Sequence, residues 1–199
     1  MTRASFIAGV SFLLVALSPG THAQAISDSS EVRRSLEISR AAAKELFVTV
    51  RTMLARQLAA GGPVGAIHIC ADSAQMVGER IQKQRSLSIR RVSQKWRNPR
   101  DIPDSFETRQ LLNLSALHSR GALADTLEIY GVVTEGSARI FRYVRPIIVG
   151  DLCLSCHGER AKMKDLVNDA LRVRYPNDKA VDYRGGELRG AVSVKIPLD

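Results

Sequence analysis

Two cysteines three positions apart, followed at once by a histidine, are the tightest constraint in this sequence: Cys153-Leu154-Ser155-Cys156-His157. A fold that keeps this run must bring two thiols and an imidazole together. Three chemistries use that set: a redox dithiol, half of a zinc centre, or covalent attachment of a c-type haem. A zinc centre needs a second Cys/His pair at short spacing, and the other candidates, His68, Cys70 and His118, are scattered. A redox pair sits near a β-α-β pattern, whereas here a strand-like run ends at Gly150-Asp151 and enters the motif. Haem attachment is the reading that the spacing favours. The thiols of Cys153 and Cys156 would add to the vinyl groups on one edge of the porphyrin, and His157 would bind its iron from beneath the ring. The cofactor predicted is one covalent haem c per chain.

The N-terminus agrees with that chemistry. Arg3, an apolar centre from Phe6 to Leu17, the break at Pro19-Gly20 and the small residues Ala23-Gln24-Ala25 read as a secretory signal peptide over residues 1–25. The apolar centre is about a dozen residues, short of the roughly 18 of a membrane span, so no stable span is expected after cleavage. The destination predicted is the periplasm, where such haems are attached. Residues 26–199 then form a single domain long enough for a real core. Losing Arg3 leaves a net charge of +8 from the +9 of the full chain. That excess is spread along the sequence rather than gathered into an arm, which argues against nucleic acid and suits an acidic redox partner protein.

Residues 29–60 predict one long helix, with Val32, Leu36, Ala43, Leu46, Val50, Leu54 and Leu58 recurring at helical steps and Gly61-Gly62-Pro63 ending it. At about 1.5 Å per residue it would reach roughly 45 Å, enough for a homodimer stalk or for packing along the domain. A second helix, Val64–Lys83, carries Ile67, Cys70, Ala74, Val77 and Ile81 on one stripe, so Cys70 faces inward and His68 outward. Small Ala66, Ala71 and Ala74 would let something flat approach closely. Two readings suit Cys70: a small core residue, or an iron ligand. Ser86–Gln94 predicts a strand that runs into a proline-marked loop. Arg90, Arg91, Lys95 and Arg97 follow closely there, and a haem's propionates are apt partners for such cations.

Asp104 predicts the cap of a third helix ending near Ser119. Strands are expected at 126–134 and 138–149 about a hairpin at Glu135-Gly136-Ser137, a helix from Lys162 to Arg174, and a last strand from Gly190 to Pro197. Helices first and strands later predict an α+β fold with an antiparallel sheet.

Several ordered segments resemble a known family. They are Ile89 to Pro99, Arg145-Pro146-Ile147-Ile148 leading to Cys153–Gly158, Tyr175-Pro176-Asn177-Asp178-Lys179-Ala180, and Gly190-Ala191-Val192-Ser193-Val194. Over about residues 35–197 the chain is similar to the c-type haem domain with a PAS-like fold, long catalogued as a domain of unknown function. The resemblance implies a PAS-like antiparallel sheet flanked by helices. It also implies, from Ala66-Ile67-His68-Ile69-Cys70, that Cys70 binds iron opposite His157. His68, Met76, Met163 and His118 are the rival ligands. Members of the family look like exported haem proteins or extracytoplasmic sensor domains.

Thiolate opposite imidazole would stabilise ferric iron and give a low potential; reduction would weaken the sulfur's hold and open a position for a diatomic gas. Three functions follow from these readings. The first is an electron carrier or redox protein, the second a redox or gas sensor read by a separate partner. An enzyme of the haem peroxidase kind comes last, because six-coordinate iron leaves no open position.

Overall fold

The structure is a computed structural model that describes residues 20–198, and the backbone alone for residues 20–28 and 68–72. Most of the expected signal peptide, and the side chains of His68 and Cys70, lie outside the described residues.

Helix α1 (Gly20–Arg85) is broken at Gly62, where φ is 62° and ψ is −169°. That is a left-handed φ, which glycine adopts without a Cβ penalty, and Pro63 follows as the first residue of the second arm, where a missing N–H costs nothing. The break was legible as Gly61-Gly62-Pro63. Its consequence is that both arms reach one core: Leu36, Ala43 and Leu46 from the first arm pack with Val77 and Ile81 from the second.

Strands β1 (Ser88–Val92), β2 (Ile129–Glu135), β3 (Ala138–Ile148) and β4 (Leu188–Pro197) form one antiparallel sheet in the order β1-β4-β3-β2. The fold is α+β with a long N-terminal helix. Glu135 pairs with Ala138 across a two-residue turn, so the hairpin is one residue tighter than its sequence suggested, and Gly136 takes the positive φ of 65° that the turn needs.

Strand alternation gives the sheet two different faces. Ile89, Phe141, Tyr143, Val192 and Val194 face α1, while Val92, Val144 and Ala191 face Leu111 and Leu114 of α2 (Ser105–Ser119). Asp104 caps α2, as the sequence predicted, and the structure adds a reciprocal box with Glu107. Beneath α2 an ion cluster centred on buried Arg142 and Glu107 joins Arg142 to Asp104, Glu107 and Glu135. The Arg142 guanidinium lies 4.3 Å from the centre of the Phe106 ring.

Between β3 and β4 come α3 (Asp151–His157) and α4 (Asp165–Arg174). Val167, Ala170 and Leu171 of α4 pack on Ile67 and Cys156. The helix expected from Lys162 starts later, since Arg160–Lys162 forms a 3-10 turn of its own. Among the described residues no helix is long and apolar enough to cross a membrane.

Candidate functional site

β3 leads through Val149-Gly150 directly into α3, which places Cys153, Cys156 and His157 at i, i+3 and i+4, on one helical face. Two lobes of a cleft meet at His157. The first, about 970 Å³ including space open to solvent, is lined by Leu46, Phe47, Val50 and Leu54 of α1 and by Ile147, Val192 and Cys153. The second, about 700 Å³ on the same measure, reaches Ala66, Ile67 and Ala74 of the second arm and Cys156. Val50, Leu54, Arg91, Asp101, His157 and Arg189 belong to both.

Of the sequence-predicted residues, the fold brings together Cys153, Cys156, His157, Arg91 and Arg97. Ile67 and Ala74, the helix positions three before and four after Cys70, line the second lobe. Arg90 goes elsewhere: its guanidinium pairs with Glu107 of α2 and with the Arg100 carbonyl. Lys95 donates to the Val181 carbonyl and lies 4.2 Å from the centre of the Tyr183 ring. Among the alternative ligands, the ring of His118 bonds the Gly186 carbonyl at 3.2 Å, Met76 is exposed, and Met163 packs against the α4 cluster. None of these three lines either lobe.

His157 is held from behind. Its Nδ1 lies 2.6 Å from the Ala180 carbonyl, and a carbonyl only accepts, so Nδ1 carries the proton and Nε2 keeps its lone pair. Burial, followed by the charges of Arg189 and Arg97, pushes the imidazole well below its usual range and keeps it neutral. Backbone bonds from Asp182 N–H to the Gly158 carbonyl and from Tyr183 N–H to the His157 carbonyl fasten the end of α3 to the 180–183 segment.

Two cleft residues were invisible in the sequence. Arg189 is the residue passed over where β4 bulges, since Ile147 pairs with Gly190 and Ile148 with Leu188. It donates to Ser93 Oγ at 2.9 Å and to the Lys95 carbonyl at 3.2 Å, and burial pushes its pKa below the usual arginine value. The bulge needs Gly190, because a Cβ there would lie 2.3 Å from the Val92 carbonyl oxygen. Asp101, buried at the end of a 3-10 turn, accepts a bond from Gln75 at 3.4 Å. The cleft is therefore apolar along α1 and predominantly cationic on its sheet side. Among the described residues no three His, Cys, Asp or Glu side chains gather as a metal-binding group.

Fold and site together define a class of α+β protein with a Cys-x-x-Cys-His helix at the junction of an apolar, cation-edged cleft. Residues 21–197 match the Tll0287-like family, and the chain belongs to that family. A solved crystal structure described as the cyanobacterial heme-protein Tll0287 is similar in fold at 23% identity, with a TM-score of 0.54 over 77% of this chain and 93% of that one. No curated protein matches the sequence.

Proposed function

We propose that this chain is an exported c-type haem protein of PAS-like fold that acts in electron transfer. One observation carries the reading: His157 offers a neutral Nε2 lone pair at the junction of the two lobes, with the two motif cysteines on the same helical face. The two lobes adjoin at His157, so a single ligand could span both. They also suit an amphipathic ring, since Leu46, Val50 and Leu54 offer apolar contact while Arg91 and Arg189 supply charge for carboxylates. Arg97 Nε is buried without a hydrogen-bond partner among the described residues, a further donor in the second lobe.

A bound haem would supply one-electron chemistry at iron. Cys153 and Cys156 would hold it covalently, His157 would ligate through Nε2, and Cys70 would ligate from the second arm of α1. Leu152, at the mouth of the first lobe, is 37% exposed, so this end of the site lies close enough to the surface for exchange with an acidic partner protein. A sensor role is the second reading. It is favoured by the first arm of α1, which lines the cleft with Leu46, Phe47, Val50 and Leu54 and could carry a change there to a partner.

The deciding experiment is to produce the full chain in a host competent for c-type haem attachment, denature it, and assay haem that migrates with the polypeptide. Haem retained by the wild type and lost on replacing both Cys153 and Cys156 by serine supports the proposal. A wild type that releases all its haem on denaturation overturns covalent attachment, and one that takes up none overturns the haem reading altogether.

A further inference from the structure

The basic segment after β1 is engaged in something more specific than lining a cleft. Arg97 Nη2 donates to the Cys156 carbonyl at 2.6 Å and to the Ala180 carbonyl at 3.1 Å, and lies 3.0 Å from Asp178 Oδ2. Both side chains are deeply covered, Arg97 at 11% and Asp178 at 3% exposure. The other oxygen of Asp178 accepts the Ala180 N–H at 2.8 Å, a tight local turn that fixes the Ala180 peptide. The Ala180 carbonyl is the group that receives His157 Nδ1–H. The backbone of Ala180 is thus held on both sides of its Cα, at the N–H by Asp178 and at the carbonyl oxygen by Arg97, and that oxygen sets the imidazole's orientation.

From this geometry we infer that Arg97 and Asp178 form a brace that positions His157 through the Ala180 peptide. Arg97 is a positioning residue in this scheme, joining the Cys156 end of α3 to the 178–180 segment. All three contacts are made by Nη2, whose two N–H groups meet the carbonyls while the permanent guanidinium charge lies against the Asp178 carboxylate. The planar, rigid head holds that nitrogen in place better than an ammonium on a flexible stem. Partners that orient a ligating imidazole commonly change ligand affinity or activity about 10–100-fold when removed. The inference rests on the haem reading only in what His157 is positioned for; the tautomer and the bond to Ala180 are properties of the polypeptide.

The test compares wild type with Arg97→Gln, Arg97→Lys and Asp178→Asn as full chains produced with haem attachment. Two quantities are read: the solvent exchange rate of the His157 Nδ1 proton by NMR, and the midpoint potential. A positioning brace predicts at least roughly tenfold faster exchange in both Arg97→Gln and Asp178→Asn. Arg97→Lys should fall between them and the wild type. These two substitutions change net charge in opposite directions. If the pair acts only by through-space charge, the potentials move in opposite senses with exchange unchanged, and the brace is overturned. Should a variant lose its native circular dichroism, Arg97→Lys, which keeps the charge, decides on the same two readouts. If the wild type proves to carry no haem, the haem reading falls, and the ring nitrogen shifts of His157 in that same chain still decide the brace. An Nδ1–H tautomer in the wild type that becomes mixed in Arg97→Gln supports it, and an identical tautomer in both refutes it.

Discussion

Arg90 and Arg91 are adjacent in sequence and lie on opposite faces of β1, Arg90 pairing with Glu107 of α2 and Arg91 lining the cleft at His157. Strand alternation imposes the split, and it gives the two residues different jobs. Glu107 is 1% exposed, so removing Arg90 weakens the neutralisation of a buried carboxylate. The Arg91 side chain makes no hydrogen bond or ion pair with a described residue. Arg90→Ala is expected to lower stability by about 1–3 kcal/mol with the site's spectrum unchanged. Arg91→Ala should leave stability within about 0.5 kcal/mol and shift the potential of the loaded protein. Denaturant melts and redox titration of the two variants check both expectations.

The split also shows which features the sequence carried. Local chemistry was legible: the Gly61-Gly62-Pro63 break, the Asp104 cap, the hairpin glycine and the Cys-x-x-Cys-His run each rest on a few neighbouring residues, though the helix that carries the run was not read from sequence. The four cations from Arg90 to Arg97 were read as one patch because spacing alone does not tell which side of β1 faces the cleft. That depends on where α1 and α2 pack. Arg189 was missed for a related reason, since its aim is set by a bulge in the pairing of β4 with β3, a long-range property. Ala180 acts through its backbone, which no side-chain pattern reports.

Arg142 makes a sharp test of the far side of the sheet. It is 1% exposed and touches three carboxylates, those of Asp104, Glu107 and Glu135. Removing it takes away one of the two cations beside buried Glu107, leaving Arg90, and empties the space its side chain fills beneath α2. Replacing a whole buried ion pair by matched apolar residues, by contrast, can be neutral. Arg142→Ala should therefore cost about 3–5 kcal/mol in a denaturant melt. Because Arg142 lines neither lobe of the cleft, the fraction that remains folded should keep wild-type spectra.

Stability in acid should report Asp104. Burial alone would raise its carboxyl, but the Glu107 N–H, Lys195 and Arg142 outweigh that and hold it at about 2. A depressed carboxylate stabilises the fold above its unfolded value of 3.8, and the contribution fades as pH falls through the folded value of about 2. The side chain is 32% exposed, so solvent screening reduces the effect to about 1 kcal/mol. Asp104→Asn keeps a good helix cap while removing the charge. The variant should be less stable than wild type at pH 6 and lose less on going to pH 2, as read by denaturant midpoints across that range.

Ala66 allows binding and stability to be pulled apart. It is 1% exposed and lines the second lobe beside His157 and Cys156, on the small-residue stretch of the second arm. A leucine at this position adds three carbons facing a space already bordered by Val50, Leu54 and Ile67. In the chain without haem those carbons gain apolar contact but crowd a buried position, so stability should fall by no more than about 1–3 kcal/mol, the usual cost of overpacking. In the loaded protein the same carbons compete for the room that a flat ring needs against this helix. Ala66→Leu should thus reduce haem retained per chain severalfold while leaving the haem-free fold intact. Equal haem content in variant and wild type would place the ring in the first lobe, against Leu46, Phe47 and Ile147, and would remove Ala66 and Ala74 from the account of the site.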